Sequence, residues 1–442
     1  MKQKDSFISS VCAIAIPAAL QSMLQSSFGI ADQIMIGQMG TVPVAAVGLA
    51  GKFTMLFNVV VAAIGAVAGI MISQYLGQKS KETVRLSFFV NLGMGSILAA
   101  VLTAVCLLIP RRIMGLYISD LETVTQAARY LQIISLTFLL IAVSTMLAAL
   151  LRCMEKAVYP LYASIAASLF NTGLNYLLIF GKLGFPALGA EGAAIATVAS
   201  QLVNMLLMLA FFWKYRTVLS ASSHGQRFPW GQYGAMLLPL LICEGAWSLG
   251  ENTYAAIYGH LGAQSSAAIT LINPVQGMMT GALCGIAQAA GVLIGKQLGK
   301  EEYENAYGSS KKLMFYGFVC SVIISVLIVA FSPVYVKLYR VEPEVRQLTR
   351  QILLAYAVVA PFKVQNMILG GGILRSGGKT NYVMYIDLIG TWGIGVPLGL
   401  LAAHGLGLPI YWVYFLLSLE ECVRYAISLA VFRRRNWMRR IS

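Results

Sequence analysis

The sequence predicts an all-α integral membrane protein with twelve transmembrane helices, arranged as two parallel six-helix repeats around a central cleft. Three observations predict this fold class. Hydrophobic residues make up 58% of the 442 residues and charged residues only 11%, whereas a soluble domain carries about 25% charged residues. The apolar residues are gathered into runs long enough to cross a lipid bilayer. Finally, the first half of the chain matches the second half at many positions.

Runs of about 20 apolar residues are candidates for membrane-spanning helices. The chain contains twelve such runs, at residues 11–37, 46–76, 84–110, 124–151, 158–181, 188–213, 233–259, 267–298, 309–332, 347–371, 380–403 and 409–432. The second and eighth are long, so we expect them to tilt or to extend into water. The longest interruption, 214–232, predicts a cytoplasmic linker between an N-terminal lobe, 1–213, and a C-terminal lobe, 233–442.

Lysine and arginine are distributed unevenly between the two sides of the predicted bundle. If the N-terminus is cytoplasmic, 21 of the 32 basic residues lie on the cytoplasmic side and 6 on the other side. Cytoplasmic loops carry such an excess of basic residues, so we expect a multi-pass protein of the cell membrane with both termini inside. The net charge of +15 is divided among these loops and forms no basic patch for nucleic acid. We expect a monomer whose partners are membrane lipid and a small organic substrate.

The chain matches itself without gaps at an offset of 222 residues. Pro17 matches Pro239, and Gly77 matches Gly299. Because each repeat has an even number of helices, both enter the membrane in the same direction. Two such halves that rock against each other give alternating access to a central cleft. The repeat therefore indicates transport rather than catalysis.

Several segments carry a resemblance over essentially the whole chain. They are Ala31-Asp-Gln-Ile-Met-Ile-Gly in the first span, Asn171-Thr-Gly-Leu-Asn in the fifth, and Leu374-Arg-Ser-Gly-Gly-Lys-Thr after the tenth. Together with the helix number and the repeat, they resemble the multidrug and toxic compound extrusion (MATE) family, in its NorM-type and DinF-type members. The resemblance implies a secondary antiporter that expels small, mainly cationic and amphipathic compounds in exchange for H⁺ or Na⁺. It implies no cofactor.

Ionisable residues at membrane depth are costly and usually face a cavity or a partner. Asp32 shares one face of the first helix with Gln21 and Gln25, at helical steps of four and seven residues. This polar stripe suits a water-filled cleft that takes up a proton or a sodium ion. Hydrogen bonding between helices is the structural alternative.

The resemblance implies a cation site in the N-terminal lobe, formed by Asp32 with Asn171 and Asn175. Thr197 is a further candidate oxygen ligand. In the family pattern an aspartate stands at the position of Asn175, and an amide cannot titrate. A sodium ion at Asp32, Asn171 and Asn175 stays possible, but the replacement favours proton coupling at Asp32.

In the second half, Glu251 resembles a helix-7 glutamate of NorM-type members, and Glu244 lies on the same helical face. The acidic partner of that glutamate falls at Lys379 in this chain. Lys52 and Lys363 are basic residues within the spans, and the sequence leaves open whether Lys363 pairs with Asp387 or Glu251. Two residues four apart, Glu420 and Arg424, predict a structural ion pair. Residues predicted to line the substrate cleft are Gln21, Gln25, Phe28, Glu244, Trp247, Tyr254, Met278 and Asp387.

Two other functional classes compete with an exporter. A flippase for lipid-linked oligosaccharides or lipids needs a cleft lined with Arg and Lys to hold phosphate groups. Within the predicted spans, however, the acidic residues match the basic residues in number. A membrane-embedded enzyme needs a catalytic constellation, and neither a nucleophile–base arrangement nor a nucleotide-binding loop is present in the sequence. The three histidines, including His224, show no metal-binding spacing.

Overall fold

The structure is a computed structural model of the chain. It describes residues 2–118, 120–219, 227–337, 339 and 341–441, without the side chains at 2–6, 30, 31, 33 and 41. All regular elements in this part of the chain are helices. Residues 220–226 of the predicted linker, and with them His224, lie outside the described residues.

Sixteen α-helices follow one another in the described part of the chain. They are α1 Lys2–Gly37, α2 Thr41–Gly77, α3 Lys81–Leu108, α4 Pro110–Gly115, α5 Leu121–Ser135, α6 Thr137–Cys153, α7 Val158–Phe180, α8 Gly189–Tyr215, α9 Trp230–His260, α10 Ala263–Gly299, α11 Tyr303–Lys337, α12 Pro343–Ile368, α13 Thr380–Leu388, α14 Val396–Leu400, α15 Ile410–Ser418 and α16 Glu420–Arg433. A 3₁₀ turn at Arg216–Leu219 follows α8. Wider π-helical turns at Leu369–Leu374, Ile389–Gly395 and Leu401–Gly405 follow α12, α13 and α14.

Among the described residues, eleven helical stretches are long and apolar enough to cross a membrane. Helices suit the lipid interior because each backbone N–H and C=O is paired within the segment. The predicted twelfth span, 409–432, is divided into α15 and α16, with 9 and 14 residues, each too short to cross alone. The predicted long spans are confirmed: α2 and α10 have 37 residues each. At a rise of about 1.5 Å per residue they exceed the hydrocarbon thickness of about 30 Å.

The chain packs into two compact units. One, here the N-terminal unit, comprises residues 20–72 and 79–228. The other, here the C-terminal unit, comprises 1–19, 73–78 and 229–442. The start of α1 and the end of α2 thus pack with the second half of the chain. The lobe boundaries from the sequence, 1–213 and 233–442, stay a prediction.

The N-terminal unit has an apolar core formed mainly by α2, α3, α5 and α6. At its centre the buried rings of Phe57 and Phe138 stack with their centroids 4.2 Å apart. Small residues such as Ala46, Ala127 and Ala142 are completely buried around them. Small side chains let membrane helices approach closely, which explains why this core combines alanine with a few large rings.

Within the C-terminal unit, the end of α2 crosses the end of α10 through two glycines. A Cβ added at Gly77 would collide with the carbonyl oxygen of Lys296, and one added at Gly299 would collide with the carbonyl oxygen of Gln74. Gly77 and Gly299 are equivalent in the internal repeat, and so are Gln74 and Lys296. The contact is therefore reciprocal.

The carboxyl-terminal tail, 434–441, packs against the end of α2 through hydrogen bonds to two glutamine side chains. Gln74 is fully buried. Its Nε2 donates to the carbonyl oxygens of Ser376, at 2.6 Å, and Arg439, at 3.1 Å. The backbone N–H of Ile441 donates to Gln74 Oε1 at 2.7 Å, and Gln78 Nε2 donates to the Ile441 carbonyl oxygen at 2.8 Å.

The tail is also fixed by its own side chains. The Trp437 ring is fully buried. Arg435 pairs with Glu304, and Arg440 pairs with Glu301. Both arginines are among the basic residues counted on the predicted cytoplasmic side. In the structure they dock the tail onto the α10–α11 connection, through Glu301, and onto the first turn of α11, through Glu304.

Candidate functional site

A polar cavity of about 520 Å³ lies inside the N-terminal unit, bounded by α1, α2, α6, α7 and α8. We call it the N-terminal cavity. Helical periodicity brings residues four and seven positions apart to one face, and the polar stripe of α1 faces this cavity. The structure brings six of the predicted site residues to its wall: Gln21, Gln25, Phe28, Asp32, Asn171 and Thr197.

The Asp32 carboxylate is held by the two asparagines of α7. Asn175 Nδ2 donates to Asp32 Oδ1 at 2.8 Å. The Asn171 amide lies beside the same carboxylate, and with its nitrogen turned towards Asp32 it reaches the two carboxylate oxygens at 3.1 and 3.2 Å. Asn171 and Asn175 are buried, whereas Asp32 is half-buried at the cavity wall. The residues that the family resemblance groups into one site are therefore neighbours in space.

An amide nitrogen, not an amide oxygen, of Asn175 faces Asp32. An N–H donor stabilises an ionised carboxylate, whereas a bound metal ion needs several oxygen atoms directed towards one point. The contact between Asn175 and Asp32 therefore stabilises the ionised form of the Asp32 carboxylate.

Among the polar residues of the N-terminal cavity that sequence reasoning missed are three amides, Asn58, Gln201 and Asn204, and one charged residue, Arg152. The spacing along α8 could have indicated Gln201 and Asn204. Thr197, Gln201 and Asn204 recur at steps of four and three residues along α8, which is the spacing of one helix face. Arg152 is one of the 21 basic residues counted on the cytoplasmic side, and the structure places it at the end of α6, on the cavity wall.

A second cavity, of about 200 Å³, lies inside the C-terminal unit and is called here the C-terminal cavity. It is bounded by α9, α10, α12, α15 and α16. Two residues that the sequence analysis singled out, Glu251 and Tyr254 of α9, line this cavity. It also contains residues that sequence reasoning left out of the site: Asn273, Gln276, Tyr258, Tyr356, Tyr414, Lys363, Glu420 and Glu421.

Two of the three acids in the C-terminal cavity have protein partners. The Tyr254 hydroxyl donates to Glu420 Oε2 at 2.6 Å. Asn366 Nδ2 donates to Glu421 Oε2 at 2.8 Å, and Arg424 Nη1 lies 3.5 Å from the same oxygen. Both glutamates are thus fixed in place by hydrogen bonds, as buried charged groups require.

The predicted ion pair between Glu420 and Arg424 is wrong in its partner. Arg424 Nη2 bonds to Asp387 Oδ1, and Cys243 Sγ donates to the other oxygen of Asp387 at 2.7 Å. Residues four apart on a helix are neighbours, but here a residue of another helix competes successfully for the guanidinium group. Asp387 is consequently paired with Arg424 and not with Lys363.

Lys379 stands where the family resemblance puts the acidic partner of Glu251, and the structure does not bring the two residues together. Lys379 lies at the start of α13 in a different cavity, with Arg439 and Arg440. The lysine that shares a cavity with Glu251 is Lys363 of α12. Helix-end motifs align easily in a sequence, but the phase of α12 relative to α9 is set only by tertiary packing.

The remaining predicted cleft residues lie outside both cavities. Glu244 Oε1 is 3.5 Å from Arg375 Nη1. This ion pair joins α9 to the residue that follows the π-helical turn Leu369–Leu374. Trp247 and Met278 are 44% and 53% exposed. Lys52 is exposed on α2. The assignment of Glu244, Trp247 and Met278 to a substrate cleft stays a prediction.

Comparison with known protein families finds a match in each half of the chain. The MatE family model matches the chain twice, over residues 17–177 and 239–401. The second match begins at Pro239, the residue paired with Pro17 in the internal repeat.

Similar proteins cover almost the whole chain. The uncharacterized transporter YisQ of Bacillus subtilis is 25% identical over 441 residues, covering 98% of this chain and 95% of that protein. A probable multidrug resistance protein NorM of Thermotoga maritima is 22% identical over 435 residues, covering 97% and 92%. A solved structure of a mutant of the Vibrio cholerae MATE transporter VcmN shares the fold, with a TM-score of 0.89 at 18% identity, over 99% of this chain and 100% of that one. The chain is therefore a membrane transporter of the MATE family, with the twelve-helix fold of that family, and not an enzyme.

Proposed function

We propose that this transporter is a secondary active antiporter that exports small, cationic and amphipathic organic compounds in exchange for protons taken up at Asp32. The observation that supports this most directly is the position of Asp32 in a large polar cavity, held by the amide nitrogen of Asn175. The uneven distribution of basic residues supports a topology with both termini in the cytoplasm. We propose a monomer surrounded by lipid as the working unit.

The proposed exchange follows from the two forms of the carboxylate. Ionised Asp32 attracts a cation strongly, because the attraction between opposite charges grows as the effective dielectric constant falls. A proton that binds Asp32 from outside removes this charge, and the substrate is released. Proton and substrate thus compete for one group, and alternating access of the two repeats delivers them to opposite sides of the membrane.

The size and lining of the N-terminal cavity support an organic substrate. Its volume of about 520 Å³ falls in the range of about 300–1,000 Å³ that is typical of sites for drug-sized molecules. Phe28 and Met208 offer apolar contacts, and Gln21, Gln25 and Gln201 offer polar ones. Sites of this mixed kind accept varied amphipathic ligands, since methionine and amide side chains adapt to different shapes.

The test is transport of ethidium into proteoliposomes with proton and sodium gradients imposed separately. We expect the proton gradient alone to drive transport by the wild-type protein. Asp32→Asn keeps the shape and the hydrogen-bonding capacity of the side chain but cannot carry charge, so we expect at least about a tenfold loss. The control is Glu191→Gln, an acid outside the cavity whose side chain is 41% exposed and lies 3.4 Å from Arg129.

Proton-driven transport by Asp32→Asn at the wild-type rate would contradict proton coupling at this residue. Transport that follows only the sodium gradient would assign the coupling to Na⁺ instead, with the Asp32, Asn171 and Asn175 group as its site. Equal loss in the Glu191→Gln control would show that the assay reports folding rather than coupling.

A flippase for lipid-linked oligosaccharides or lipids is less well supported. The charged residues on the wall of the N-terminal cavity are Asp32 and Arg152, and those of the C-terminal cavity are three acids and one lysine. A pyrophosphate group would require several Arg or Lys side chains.

A further inference from the structure

The C-terminal cavity contains opposite charges that do not contact each other. Glu251 of α9 and Lys363 of α12 both lie on its wall. Within the described part of the chain, neither forms an ion pair or a side-chain hydrogen bond. Charged side chains at membrane depth normally pair with one another. Two opposite charges that share a cavity without contact leave a gap between them that a ligand with both charges can fill.

Glu420 and Glu421, the other two acids of the cavity, are already bonded to protein groups and are not available to a ligand cation. The Tyr254 hydroxyl bonds to Glu420, and the Asn366 amide and the Arg424 guanidinium group bond to Glu421. Binding a ligand cation at either would first break contacts inside the protein, which costs free energy. Glu251 is the acid of the cavity that is exposed and available.

The rest of the cavity wall is aromatic and amide-rich. Tyr258, Tyr356 and Tyr414 line it, and Gln276 Nε2 donates to the Tyr414 hydroxyl at 2.6 Å. Aromatic rings pack well against another ring in edge or offset geometry. The cavity volume of about 200 Å³ is below the range of about 300–1,000 Å³ for drug-sized ligands, so the ligand is small.

We propose that the C-terminal cavity binds a small aromatic zwitterion of the amino-acid type, with its carboxylate at Lys363 and its ammonium group at Glu251. The proposal rests on the proposed export function, of which it names a second substrate class. A plain cation is attracted by the three acids of the wall but supplies no carboxylate for Lys363, and a plain anion meets the carboxylates of those acids. Two complementary contacts therefore favour a ligand with both charges over a ligand with either one alone.

The test compares three ligands of nearly equal size by calorimetric titration of the purified full-length protein. Phenylalanine carries both charges, phenylalaninamide only the ammonium group, and 3-phenylpropionate only the carboxylate. We expect phenylalanine to bind at least about tenfold more tightly than either of the others, since each of them lacks one of the two charge-assisted hydrogen bonds. This comparison needs no variant and so does not depend on a mutant that folds.

Two variants then assign the ends of the ligand. Lys363→Met should abolish the preference for phenylalanine over phenylalaninamide, and Glu251→Gln should abolish the preference for phenylalanine over 3-phenylpropionate. Lys363→Arg keeps the charge and serves as the folding control, for which we expect retained phenylalanine binding.

Phenylalaninamide that binds the wild-type protein as tightly as phenylalanine would overturn the proposal and leave Lys363 as an internal counter-ion of the acids. Binding of none of the three ligands at millimolar concentration would overturn it as well. Neither result touches proton-driven ethidium transport through Asp32, and a failure of that transport with intact phenylalanine binding would refute the proposed coupling alone.

Discussion

Replacement of Gln74 by alanine is predicted to release the carboxyl-terminal tail. The Gln74 side chain is fully buried and makes three hydrogen bonds to backbone groups, two from Nε2 and one to Oε1. All three partners, in Ser376, Arg439 and Ile441, lose their bond in Gln74→Ala. The variant therefore tests whether this one side chain, rather than the tail's arginines, keeps the tail docked.

The magnitude follows from the number and burial of the bonds. A buried polar group left without a partner costs about 1–3 kcal/mol. Only two of the three bonds reach the tail, the buried bond from the Ile441 N–H and the partly buried bond to the Arg439 carbonyl oxygen, so docking should weaken by about 3 kcal/mol. Gln78→Ala is the matched control, since it removes a single, partly buried bond to the Ile441 carbonyl oxygen and should cost about 1 kcal/mol.

Hydrogen exchange of the tail amides measures this difference directly, because exchange reports the free energy of local opening. A factor of ten corresponds to about 1.4 kcal/mol. The Met438 amide is a suitable reporter, because its own bond to the Arg435 carbonyl oxygen is kept in both variants. Its exchange should accelerate roughly a hundredfold in Gln74→Ala and about fivefold in Gln78→Ala. Equal effects of the two variants, or a tail that stays protected in Gln74→Ala, would refute the reasoning and assign the docking to Trp437 and the ion pairs.

Two further predictions concern stability and are checked by thermal unfolding in detergent. Gly299→Ala should destabilise the protein by about 1–3 kcal/mol, because the new methyl group collides with a backbone carbonyl of α2. Gly259→Ala is its control, since nothing lies within 4 Å of the added carbon, and it should leave stability unchanged or raise it. Asp387→Asn should destabilise by about 3 kcal/mol, because the guanidinium group of Arg424 keeps only one, longer ion pair. Glu244→Gln should cost clearly less, since that pair is looser and more exposed, and the reverse order would contradict the assignment.

The sequence was sufficient for the architecture, because apolar runs, basic loops and repeated Pro and Gly positions are local properties. It also predicted the stripe of Gln21, Gln25 and Asp32, since residues four and seven positions apart share a face on any helix. The approach of Asn171 and Asn175 to Asp32 came from the family resemblance and not from spacing.

Contacts between distant helices were the part that the sequence could not supply. The predicted partner of Arg424 was Glu420 of its own helix, whereas in the structure Arg424 pairs with Asp387 of α13 and with Glu421. Lys363 was identified as costly at membrane depth, but its cavity with Glu251 depends on the rotation of α9 and α12 about their axes. That rotation is fixed by tertiary packing, and hydrophobic periodicity determines it poorly in helices that are apolar on nearly all sides.

The reciprocal crossing of α2 and α10 has the symmetry of an interface between two identical subunits. When two identical subunits meet across a two-fold axis, residue i of one touches residue j of the other, and j touches i. Gly77 against Lys296, and Gly299 against Gln74, follow this rule within one polypeptide. Each glycine meets a backbone carbonyl oxygen, so the crossing does not depend on whether its partner carries a glutamine or a lysine side chain. Steric exclusion therefore requires glycine at both equivalent positions, whereas the two partner positions are free to differ.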